Sequence, residues 1–167
     1  MNAMRILRSL IVVLMAGLVA SAIAAPPDFV ADDAVRQAAE ASAADAVRIA
    51  QQQFHLKLDG SEASIEDVER ALEALNATYA IASPKPKDAE LMPFAQAFGA
   101  YVGEIYRKNH GATWGTVTLN GSSYPGLRTA SGVNVWPAGR VLNVITDGPD
   151  NDIADFYRKL VAGPRRD

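Results

Sequence analysis

The chain has 167 residues, no cysteine, and 16 basic against 19 acidic residues for a net charge of −3. The absence of cysteine excludes disulfide staples, thiol catalysis, thiolate metal sites and a lipid-modified cysteine. No run of Lys and Arg is dense enough to suggest nucleic acid or an anionic lipid surface as partner.

Arg5 and Arg8 are followed by an uncharged apolar run from Leu10 to Ala20, and Ala22-Ile23-Ala24 then places small residues at −3 and −1 of a cleavage site. This is the pattern of a signal peptide cut after Ala24. The run is short for the roughly 20 apolar residues of a membrane span. No stable membrane insertion is therefore expected after cleavage. Removing 24 of the 167 residues leaves 143, enough for one domain with a substantial core. Losing Arg5 and Arg8 leaves 14 basic against 19 acidic residues, a net of −5. The expected address is the periplasm or the medium.

The organisation expected is a signal peptide over 1–24, an Ala-rich helical segment over 25–53, a single α+β domain over 54–162 and a tail over 163–167. Within the second segment a helix spans about Asp32 to Gln52. Its stripe of Val35, Ala39, Ala46 and Ile49 is thin, so it is expected to pack loosely. Phe54, Leu56 and Leu58 alternate with His55 and Lys57, which reads as a short strand ending at Asp59-Gly60-Ser61.

Ser64-Ile65-Glu66-Asp67 resembles a capping box and opens a second helix, with Ile65, Val68, Leu72, Leu75 and Tyr79 on one stripe. Glu66, Glu69 and Glu73 share its flank, where a solvated face is the ordinary reading and a cation-binding or partner-facing patch the other. Ser83-Pro84-Lys85-Pro86-Lys87 breaks the chain.

A third helix is expected from about Met92 to Asn109, with Pro93 in its first turn and Gly111 just past its end. Phe94, Phe98, Tyr101, Val102 and Ile105 form an apolar arc that Ala95, Gly99, Gly103 and Tyr106 extend. A helix apolar over so much of its circumference belongs at the centre. Its glycines let another backbone approach closely.

The pattern then turns to strands. Trp114–Leu119 alternates, Asn120-Gly121 is a hairpin signal, and Tyr124–Thr129 returns. Val133–Trp136 and Arg140–Thr146 read as two further strands. A last helix follows, capped by Asp150, with Ile153, Phe156, Tyr157 and Leu160 on one face and Gly163-Pro164 at its end. The fold class is α+β: N-terminal helices, an antiparallel sheet of about four strands and a closing C-terminal helix.

Gly99-Ala100-Tyr101-Val102-Gly103-Glu104, followed by His110-Gly111 and Trp114, resembles the G-x-Y-x-G-E helix, glycine stop and tryptophan strand of an uncharacterised bacterial family, a domain of unknown function. The similarity extends to Leu58-Asp59-Gly60-Ser61 before it and Ile153-Ala154-Asp155-Phe156-Tyr157 after it. It covers about Leu58 to Leu160. The stretch after Trp114 is richer in Gly, Ser and Asn than that pattern. The resemblance implies a shared fold and transfers no catalytic residue.

Candidate chemistry is sparse. Glu104 has Lys108 one turn on, the spacing of an ordinary surface pair; partner contact and general acid/base work are the alternatives. His110 stands where a cation suits a helix C-terminus. His55 falls on the polar side of its expected strand. Asp147, Asp150 and Asp152 lack calcium-loop spacing and suit helix capping. Ser122 and Ser123 have no nucleophile-elbow context. With two histidines and no cysteine, no metal site is indicated, and no cofactor motif is present. Trp114 and Trp136 either share the outer face of the sheet as a recognition surface or lie beneath a helix. The candidate binding residues are Tyr101, Glu104, Trp114 and Trp136, and no catalytic residue is assigned.

Two functions fit these observations. One is an exported, non-catalytic binding protein of the bacterial cell envelope with a periplasmic protein partner, of which an immunity-type inhibitor is one version. The other is a small cell-envelope hydrolase using Glu104 with Tyr101 or His110.

Overall fold

A computed structural model describes residues 28–163; the signal-peptide reading falls on residues outside these. Among the described residues, five α-helices and a four-stranded antiparallel sheet form an α+β fold. Strand β1 (Asp28–Ala31) leads into helix α1 (Asp33–Ile49). The Asp32 side chain caps α1 by accepting from the backbone N–H groups of Ala34 and Val35. A π-turn over Ala50–Phe54 ends it, with His55 left-handed at φ 56°. Phe54 to Leu58 is therefore not a strand, because the reversal at His55 breaks the extended run that its alternation suggested. The fourth strand comes instead from β1, which pairs with β2.

Helix α2 (Ile65–Ile81) is preceded by a 3-10 turn over Glu62–Ser64, and Ser64 makes no side-chain cap bond. Its hydroxyl is drawn inward to Tyr101, so the expected capping box does not form. Helix α3 (Asp88–Tyr106) starts a turn earlier than expected, and Lys87 N–H donates to the Glu90 carboxylate at 2.9 Å. Pro93 consequently lies in its second turn rather than its first. A π-turn over Arg107–Gly111 follows, and Gly111 takes the expected positive φ of +73°.

Strands β2 (Ala112–Leu119) and β3 (Ser122–Thr129) form the hairpin, with Asn120 at φ 52° and Gly121 at φ 79° as the tight turn demands. Strand β4 is only Asn134–Val135. The sheet order is β1-β2-β3-β4.

Arg140–Thr146 is not a strand. It lies in helix α4 (Pro137–Asp147), where Pro137 occupies the first turn and Val141, Val144 and Ile145 are buried at helical spacing. The β-branched residues suggested extension, but the i, i+3, i+4 placement and the N-terminal proline win. Helix α5 (Ile153–Ala162) closes the chain. Asp152, not Asp150, is its cap, accepting from Asp155 N–H at 2.8 Å.

Helix α3 is central: α1 and α4 flank it, and α2 packs on α4 and α5. On the sheet, the cross-strand row Trp114, Leu127 and Val135 points into this helical layer and joins the core. The loosely packed α1 of the sequence reading instead lies along α3, burying Ala39 and Ala46.

Candidate functional site

The central helix carries Tyr101 and Glu104 inward. Glu104 is only 3% exposed. Its Oε1 accepts the indole N–H of Trp114 at 2.7 Å and Arg107 Nε at 2.8 Å, while Oε2 accepts Arg107 Nη2 at 2.9 Å. Lys108 Nζ stands 3.6 Å from Oε2. The Lys108 pair is present, but Glu104 is buried rather than on the surface: β2 closes over that flank of α3 and brings the Trp114 indole onto it. Burial opposes ionisation of Glu104. The Arg107 and Trp114 hydrogen bonds, with the charges of Arg107 and Lys108, outweigh it and hold the carboxyl below its usual range. Arg107 also reaches Glu40 of α1 at 3.6 Å, and Arg36 holds Glu40 at 2.8 Å.

Tyr101, one turn before Glu104, is equally occupied. Its hydroxyl accepts Gly60 N–H at 2.7 Å and lies 2.7 Å from Ser64 Oγ. Ser64 donates its own proton to the Ser61 carbonyl, so Tyr101 donates to Ser64. The tyrosine ties the loop before α2 to the middle of α3.

Trp114 lies beneath α3 rather than on the outer face. A Cβ on Gly103 would stand 2.5 Å from its ring, and a Cβ on Gly99 would stand 2.5 Å from the backbone nitrogen of Ala138. The expected approach of another backbone is therefore present at Gly99, from the start of α4, while at Gly103 the neighbour is an indole. Trp136 is apart from the other three. It extends β4 on the opposite side of the sheet, near Gly126, and is half-buried.

Two clefts flank α1. One, of about 370 Å³, is lined by Glu40, Val47, Asp59, Tyr101, Glu104 and Lys108 among others. The other, of about 340 Å³, is lined by Val35, Ala38, Ala100, Trp114, Pro125 and Pro137, with Ser42 and Gln96 as its polar members. No ionisable side chain lines the second.

A separate cluster went unread in the sequence. Glu62 Oε1 accepts from Tyr157 at 2.5 Å and contacts His110 Nε2 at 2.6 Å, and the Tyr106, His110 and Tyr157 rings pack together. The hydrogen bonds from Tyr157 and His110 lower the Glu62 pKa, while burial and Glu62 raise that of Tyr157. His110 thus binds a side chain of the α2 approach rather than serving only as a helix-end cation. His55 is exposed, off any strand. Glu69, expected on a solvated flank, is buried and accepts the backbone N–H groups of Ile153 and Ala154 at 2.5 and 3.2 Å. It caps α5 from a distance of more than eighty residues, a role that a helical wheel of α2 does not reveal. Glu66 and Glu73 are exposed as expected. Among the described residues no group of three or more His, Asp or Glu side chains has the arrangement of a metal site, and no helix is long and apolar enough to cross a membrane.

No family model matches the chain, and no curated protein matches it. Among solved structures it is similar to a crystal structure from Bacteroides thetaiotaomicron VPI-5482 determined at 1.50 Å resolution. The TM-score is 0.60 at 18% identity, covering 83% of this chain and 48% of that one. The chain spans about half the length of that neighbour. At this identity the likeness shows the fold alone.

Proposed function

We propose that this is an exported, non-catalytic binding protein of the bacterial cell envelope, and that the apolar cleft between α1, α3 and the sheet is where it takes its partner. One observation carries the reading. Glu104 and Tyr101 of the central helix are already hydrogen-bonded within the fold, whereas the cleft beside them is lined by Val35, Ala38, Ala100, Trp114, Pro125 and Pro137. Such a lining suits an apolar group and supplies no general acid or base. The envelope address rests on the signal pattern of residues 1–24, and a protein partner acting in the periplasm, as an immunity-type inhibitor would have, is the version favoured.

The hydrolase alternative loses support on the same ground. A carboxylate held below its ordinary pKa by an arginine and an indole is a poor proton carrier near neutral pH. The resemblance to the G-x-Y-x-G-E family is part of this proposal and fits it. In that motif Gly99 admits α4, Tyr101 holds the Gly60 loop, Gly103 admits Trp114 and Glu104 accepts its N–H. Those roles lock a fold.

The test is photo-crosslinking. A benzophenone amino acid at Ala38, on the cleft rim, is expected to give a discrete adduct in living cells, and one at Ala77, exposed on α2, is not. N-terminal sequencing of the same product should begin at Ala25. Equal labelling from both positions, or a chain that retains Met1, would count against the reading.

A further inference from the structure

The outer face of the sheet, opposite the cleft, holds an arginine to which no carboxylate of the described residues stands within ion-pair distance. Arg128 on β3 pairs across the ladder with Thr113 of β2 and Asn134 of β4. Its side chain runs back across β2 and lays its guanidinium over the Phe29 ring of β1, 5.0 Å from the centroid. Gly115 makes room for that ring: a Cβ there would stand 2.7 Å from it. The cation thereby stacks on a side chain of the edge strand.

Among the described residues Arg128 has no carboxylate within ion-pair distance and no acceptor for its N–H groups, and its Nε is buried without a partner. Asn134, its cross-strand neighbour, likewise buries a carboxamide oxygen that no described group satisfies. Arg140 has a buried Nε too, but its Nη1 donates to Asn151. A guanidinium that stacks on an aromatic ring and lacks an acceptor is arranged to receive a planar acid. It borders an open groove of about 500 Å³ formed with Phe29, Ala31, Thr113 and the Gly111–Ala130 crossing.

The groove runs beside a strand edge. Among the described residues strand β1 is terminal in the sheet order, and Asp32 N–H donates to the Trp114 carbonyl at 3.2 Å. Antiparallel alternation from that bond directs the peptide groups of Val30 toward β2 and those of Phe29 and Ala31 toward the open edge. Unpaired N–H and C=O groups on an edge accept another extended chain.

We propose that β1 is a docking edge for an extended segment of a partner protein, which adds as a further strand and places an acidic side chain against Arg128. The backbone edge supplies affinity and the guanidinium selects the acidic sequence. Because this surface lies on the other side of the sheet from the apolar cleft, it stands or falls independently of that reading.

The test uses the ¹⁵N-labelled chain from Ala25 and three blocked peptides alternating threonine with glutamate, glutamine or lysine. The glutamate peptide is expected to shift the amides of Phe29 and Ala31 and slow their exchange with solvent. It should bind about tenfold more tightly than the glutamine peptide, and the lysine peptide more weakly still. Arg128→Gln should erase the difference between glutamate and glutamine while leaving the fold intact by amide dispersion. Equal binding of the glutamate and glutamine peptides to the unaltered chain would overturn the proposal. So would shifts confined to other strands, or unperturbed Phe29 and Ala31 amides at millimolar peptide. If Arg128→Gln does not fold, the salt dependence of the glutamate peptide decides. Loss of its advantage as ionic strength rises supports the ion pair, and a salt-independent advantage refutes it.

Discussion

The same substitution, glycine to alanine inside a helix, should have opposite signs at two positions, one closed against backbone and one open to solvent. At Gly99 of α3 the added Cβ would meet Ala138 N at 2.5 Å, Ala138 Cα at 2.6 Å and the Pro137 carbonyl carbon at 2.8 Å. These are backbone atoms at the start of α4 and cannot rotate away. Carbon atoms pack comfortably at about 3.5–4.0 Å, so the two helices must part by about 1 Å. Overpacking of this kind costs about 1–3 kcal/mol. Alanine returns about 0.5–1 kcal/mol of helix preference, leaving Gly99→Ala destabilised by up to about 2.5 kcal/mol. At Gly139, in the first turn of α4, only Trp136 Cβ comes near, at 3.8 Å. Gly139→Ala should therefore be neutral or gain up to about 1 kcal/mol. Urea titration of both variants beside the parent chain reads the two signs, with a slope that should not change. A Gly99→Ala chain as stable as Gly139→Ala would refute the close crossing of α3 and α4.

Three further outcomes are expected. Glu104→Gln should cost about 1.5–3 kcal/mol at pH 7, since a charged acceptor of Arg107 and Trp114 is lost. Because the folded pKa of Glu104 is depressed, its contribution is complete above the ordinary value of 4.5 and disappears as pH falls through the depressed value; the gap between parent and variant in denaturant titrations should close in acid. Glu69 has the opposite sign: burial, with the Asp152 carboxylate adding to it, raises its pKa against the Ile153 and Ala154 N–H bonds. The parent chain should thus gain stability relative to Glu69→Gln as pH drops from 7 toward 4.5, and a gap that narrows over that range would contradict the buried placement. Gly121→Val should destabilise the chain through the backbone alone, by about 1–2 kcal/mol, and so lower its melting temperature, since φ is +79° and no atom stands within 4 Å of the new Cβ; an unchanged melting curve would mean that the hairpin turn is not tight.

What could be read from the sequence was whatever a short window decides. Asn120-Gly121 specifies its own turn geometry, and the apolar arc of α3 follows from spacing along one helix. Arg140–Thr146 failed because its β-branched residues satisfy two patterns at once. Only with Pro137 counted as a helix start does the buried trio Val141, Val144 and Ile145 choose between them. Strand β1 failed for another reason: four residues beside an alanine-rich helix carry almost no periodicity, and β2 alone makes them a strand.

The carboxylates expose the limit most clearly. A helical wheel ranks Glu69 and Glu104 as flank residues because it measures angle about one axis. Burial is decided by what arrives at that angle from elsewhere in the chain. For Glu104 the arrival is Trp114, ten residues on across a π-turn. For Glu69 it is the N-terminus of α5, which brings unpaired N–H groups that must find acceptors. In both places the incoming element presents donors without acceptors of its own, and an acid is the side chain that satisfies them. A flank glutamate therefore gains a second reading whenever a tryptophan strand or a bare helix start has no other acceptor in reach. In this fold that reading connects α3 to the sheet and α2 to the closing helix.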